Sequence, residues 1–193
     1  VMDIAGIMRL LENIARTGTV TEIDTVKWRV RVQSGDLVTD WLRWNAQRAG
    51  NFEIWIPPSP GEQVWLLCIG GNVDTAIIGG SLYSNDHPAP GAAVSEILVT
   101  APDGAKFRYD ADDGALQVTG IKSATIEAAV KVTLSTPVVE CTQHLKTRTM
   151  ELTDGGTMKG DITHTGGSLS SNGKVLHTHH HPGDSGGTTG API

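Results

Sequence analysis

The sequence predicts an all-β chain with one short helix at its N-terminal end, and three observations predict it. A helical apolar spacing opens the chain, short apolar runs punctuated by Gly and Pro follow, and strict apolar–polar alternation takes over in the second half. With 193 residues, 39% of them hydrophobic and only 5% aromatic, the chain has room for one or two small domains. A net charge of -6 and a pI near 5.6 argue against a general nucleic-acid binder, whose footprint would be basic. No apolar run approaches the ~20 residues that span a bilayer. The N-terminal residues lack the basic start and apolar core of a signal peptide, so synthesis in the cytoplasm is expected. The two cysteines, Cys68 and Cys141, lie in apolar surroundings without CxxC spacing and read as small buried hydrophobes.

From Asp3 to Arg16, Ile4, Ile7, Met8, Leu11 and Ile14 mark one helix face, with Asp3 as N-cap and Gly18 past the end. A lone helix of this length is marginal in water. It is expected to pack on its own domain, the alternative being a bundle with copies of itself. Strands are expected at 18–23, 26–33, 63–69 and 74–82, and all five tryptophans (Trp28, Trp41, Trp44, Trp55, Trp65) fall in this region. Short strands of this kind suggest a small closed barrel such as an OB-fold. Aromatics on such a barrel invite an oligonucleotide or oligosaccharide reading. The basic residues Lys27, Arg29, Arg31, Arg43 and Arg48 are instead scattered among Glu53, Glu62, Asp36 and Asp40, so nucleic acid is not expected as a partner.

After the breaker-rich linker Asn85 to Gly91 the character changes. Asp110 to Gly114 lies between two apolar runs and lacks the closing Glu of a calcium loop, so a hairpin turn is expected there. Ile126, Ala128, Val130, Val132 and Leu134 alternate with polar or small residues, and the phase resets after Pro137. One thin apolar edge per strand cannot be buried by a single chain, whereas three chains wound about an axis can share a slender core. An intertwined trimeric β-helix or prism is therefore expected.

The chain then reaches His177-Thr178-His179-His180-His181-Pro182. In an extended strand His177, His179 and His181 would point one way and His180 the other, a ladder of imidazoles. One chain cannot close a metal site with two or three of them, but three chains supplying two layers would present six nitrogens as an octahedron. Octahedral geometry disfavours structural zinc and makes iron the leading candidate beside nickel and copper; the spacing alone does not identify the metal. The plainer reading is a polar tail that picks up metal casually.

The chain closely resembles the central spike of contractile injection tails, the baseplate assembly protein V of myophages and its counterpart in phage-tail-like bacteriocins such as R-type pyocins. The resemblance runs over the full length. It is carried by Thr39-Asp40-Trp41-Leu42, Arg48-Ala49-Gly50, Pro60-Gly61-Glu62-Gln63-Val64, Gly155-Gly156-Thr157-Met158, the run Ser170 to Leu176, and the run His181 to Gly190. It implies a homotrimer with a helix at 1–17, an OB-fold barrel at 18–91, a triple-stranded β-helix at 92–172 and a pointed apex at 173–193. It also implies one iron ion per trimer, held by six nitrogens of an HxH motif that falls on His179 and His181, with His177 as runner-up. The implied partners are the baseplate hub, the tail tube and the target outer membrane, which the spike would pierce when the sheath contracts. Its implied place is the distal tip of the tail.

A competing reading makes the chain a peptidoglycan-degrading or other metal-dependent hydrolase. No Gly-x-Ser-x-Gly elbow occurs, and six imidazoles would leave no open coordination position for catalysis. No enzymatic activity is expected. A tip-binding adaptor is a third reading.

Overall fold

The computed structural model describes residues 3–190, which fall into two compact units divided between Glu127 and Ala128. The first begins with helix α1 (Ile4–Asn13), whose Asp3 carboxylate accepts the Gly6 N–H at 2.7 Å, the N-cap the sequence announces. Strands β1 (Ala15–Asp24), β2 (Arg29–Ser34), β3 (Leu37–Val38), β4 (Arg43–Trp44), β5 (Gln63–Leu67) and β6 (Ile77–Leu82) form one sheet in the order β3-β2-β1-β5-β6-β4. All neighbours are antiparallel except β4 and β6. Leu42, just before β4, exchanges both backbone bonds with Val30 of β2, at 3.0 and 2.8 Å. The sheet thus curls until its two sides meet, which leaves few open ladder groups.

Alternation decides what enters this barrel. Val30 and Val32 of β2, and Val64, Leu66 and then Cys68 along β5, point inward beside Val20, Leu42, Ala76 and Ile78. The expected strand at 26–33 begins only at Arg29. Asp24 Oδ1 accepts the Val26 and Lys27 N–H groups and Trp28 takes a left-handed φ of 56°, so these residues turn instead of pairing. The strand expected from Asp74 likewise starts at Ile77, because Val73–Thr75 form a 3-10 turn capped by the Asn72 side chain.

Helix α1 meets the barrel at its C-terminal half. A Cβ on Gly71, which has φ 74°, would run into the Leu10 carbonyl, so only glycine permits this approach. The apolar stripe expected to pack on its own domain does not do so: Ile4 and Leu11 are 81% and 55% exposed. The contact is spent on the Leu10 edge instead.

Strands β7 (Glu96–Thr100), β8 (Lys106–Asp110) and β9 (Ala115–Thr119) form a separate antiparallel meander. Asp110 pairs with Ala115 across the expected Asp-Gly turn, with Gly114 at φ 63°. Asp110 has one oxygen at Arg108 and the other accepting the Asp112 N–H, which makes it a turn and ion-pair residue.

The second unit is organised differently. Among the described residues, 121–168 make no backbone–backbone hydrogen bond, and the alternating Val130, Leu134 and Val138 stand exposed. The period-two pattern is present without any ladder, because a strand needs a neighbour and the chain offers none here. Cys141, expected to be buried, is exposed for the same reason, whereas Cys68 is enclosed and its thiol pKa is pushed up by burial. Regular pairing resumes with β10 (Ser170–Ser171) and β11 (Lys174–Val175), joined through Asn172 and Gly173, both at positive φ.

Candidate metal centre

Three local devices place the histidines. The Asn172-Gly173 turn reverses the chain, as the paired left-handed conformations of a type I′ hairpin require. A turn over Leu176 to Thr178 follows, with the Thr178 N–H reaching the Val175 carbonyl. This turn breaks the expected ladder. His177 lies inside it, while His179 and His181 come together beyond it.

Their rings meet edge to face, with centroids 4.9 Å apart, and the two Nε2 atoms are 3.1 Å apart. His179 Nδ1 donates to the Leu176 carbonyl at 2.7 Å, and since a carbonyl only accepts, Nδ1 carries the proton. In the neutral ring Nε2 is then left with its lone pair aimed at His181. A neighbour fixing the far ring nitrogen in this way is the usual support of an imidazole ligand.

The third device is a strap. Pro182 and Thr188 face each other in a short antiparallel bridge, and Gly183 N–H donates to the Gly187 carbonyl at 2.7 Å. Thr189 closes it with three bonds. Its Oγ1 accepts the His181 N–H at 3.0 Å, its N–H donates to the His181 carbonyl at 2.9 Å, and its carbonyl accepts His180 Nδ1 at 2.7 Å. His180, expected to face outward, is exposed and tied to the strap by that bond. The Thr189 signal was present in the sequence only as one of two adjacent threonines.

A metal–imidazole bond is about 2.1 Å, so two neighbouring ligands of an octahedron lie about 3.0 Å apart and two of a tetrahedron about 3.4 Å. The 3.1 Å separation of the Nε2 atoms is a hydrogen-bond distance, and it falls within the range that two ligands of one metal ion would span. Among the described residues no third His, Cys, Asp or Glu joins the pair. His144 and His164 are exposed, and His87 sits in a bend with its N–H on Ser84 Oγ.

On the barrel, a hollow of about 550 Å³ is lined by Asp24, Lys27, Trp28, Arg29 and Trp41. It holds one carboxylate, Asp24, already engaged by the turn amides, where glycoside hydrolysis would use two. Arg31 lies over the Trp41 ring at 5.6 Å and is paired with Glu22 at 3.2 Å.

Residues 16–83 match the family model described as Type VI secretion system/phage-baseplate injector OB domain, and residues 120–172 match the one described as Phage spike trimer. The chain is also similar to the "Spike protein" of Escherichia phage P2, at 47% identity over 206 aligned residues covering 99% of this chain and 98% of that protein.

Proposed function

This chain belongs to the phage-baseplate spike family, and from that premise we propose that three copies wind into a tail-tip spike whose apex holds one iron ion. The barrel is the baseplate end, gripped by hub and tube proteins, and residues beyond it form the intertwined β-helix. When the sheath contracts, the pointed end is driven through the target outer membrane. The role is mechanical, without catalysis: force is concentrated on a small rigid tip.

The observation that carries this reading is the exposed, unpaired alternating run at 126–134, followed further along the chain by two converging imidazoles. Three such runs supply one another with ladder partners and a shared apolar axis. Three His179/His181 pairs supply six nitrogens, with the Leu176 carbonyl holding each His179 ring in the ligating tautomer. Bound there, the metal contributes binding free energy on the order of 10 kcal/mol, the scale of structural sites, to holding the strand ends together.

Elemental analysis with native mass spectrometry tests the proposal. One iron per three chains is expected, and its loss in a His179→Ala/His181→Ala variant that still trimerises. A monomer, or a trimer without stoichiometric metal, would overturn it in whole or at the apex.

A further inference from the structure

Helix α1 leaves its apolar stripe uncovered even though its C-terminal half is seated on the barrel at Gly71. Ile4, Ile7, Leu11 and Ile14 are spaced three, four and three apart, the a-d-a-d spacing of two heptads. The helix runs to Asn13 and Ile14 keeps helical dihedrals, so all four lie along one seam.

We propose that α1 packs against the α1 helices of two further copies of this chain in a parallel three-helix bundle. The inference rests on the homotrimer reading above, which supplies the copies. Residue identity selects the number of strands: Ile or Leu at a with Ile at d favours three or four helices over two. The flanking Met8, 51% exposed, widens the apolar face beyond a two-stranded seam. Arg9 and Glu12, the charged residues within the helix, fall at the outward f and b positions, so like charges from parallel copies do not meet on the seam. A membrane surface is a poorer occupant, since interfacial helices carry a polar face rich in Lys and Arg and this one has a single Arg. Ten residues are too few to associate from dilute solution. Tethered to an already trimeric body they meet at high effective concentration.

Disulfide trapping tests this in the full-length chain with Cys141→Ser, which removes the exposed thiol and leaves Cys68 buried. Ile7→Cys at d, oxidised with diamide, is expected to link two of every three chains, and Glu12→Cys at b to link none. Ile4→Cys repeats the seam test at the most exposed stripe position, should Ile7→Cys fail to fold. A native trimer in which neither seam cysteine cross-links, or in which Glu12→Cys links as well as they do, overturns the bundle alone. A monomeric native mass overturns the trimer reading and the bundle with it.

Discussion

Thr189 makes three hydrogen bonds to two adjacent histidines, and only one of them uses its side chain. Thr189→Ala therefore removes the acceptor for the His181 N–H while sparing both backbone bonds. If His181 is a ligand, metal affinity should fall about 10- to 100-fold, the usual cost of losing outer support, with trimer mass unchanged and Thr189→Ser restoring binding. Competition against a graded chelator measures it. In the barrel, Leu66 is fully buried. Leu66→Ala should cost about 2–5 kcal/mol, read from the denaturant midpoint by tryptophan fluorescence, because every tryptophan lies between residues 28 and 65. Residue identity made the strand at 63–69 legible as an apolar run that buries Cys68, but because the run is apolar throughout, the inward choice of Val64, Leu66 and Cys68 was not. It did not reveal that His177 drops out of the ladder, because the Leu176 to Thr178 turn depends on a hairpin two residues upstream.

At the scale of elements, the β7–β9 meander is fastened by charge. Arg108 bridges Glu96 at 2.8 Å and also pairs with Asp110. The hydrogen bond from Arg108 lowers the Glu96 pKa below its ordinary 4.5. A depressed carboxylate contributes stability that is present above the unfolded pKa and lost as pH falls through the folded one. The meander should therefore loosen on acidification below about pH 4.5, and Arg108→Gln should flatten that dependence; amide exchange at β7 and β8 across pH 3–6 reports it. Helix α1 and the Asp-Gly hairpin were legible because their signals are local: a capping carboxylate, a 3.6-residue period, a turn dipeptide. Closure of the sheet through β4 and β6 was not, since Arg43 and Trp44 pair in parallel with Ile77 and Ile78 far along the chain and no local turn signal marks such a pairing.

For the whole molecule, the decisive contrast is between a unit with its own buried core and one without. A polar substitution at an exposed site of a monomer ordinarily changes stability by no more than about 0.5 kcal/mol. Val130→Asp, at a position 92% exposed in the single chain, should instead abolish trimer formation if that position lines a shared axis. Native mass distinguishes the two directly. The alternation at 126–134 reads as strand in the sequence, and the structure gives it no ladder within the single chain. A period-two pattern reports which side chains share a face and carries no information on where the neighbouring strand comes from.

The order of these units along the chain has a consequence for synthesis. The barrel leaves the ribosome first and can close on residues already available to it. The alternating stretch at 126–134 emerges after it, rich in β-branched and apolar residues and without a ladder in the single chain, the composition that promotes off-pathway aggregation. Glu127 and Lys131, set on the polar phase of that stretch, interrupt it with charge as gatekeeper residues do, and on the trimer proposed above they would keep it soluble until assembly.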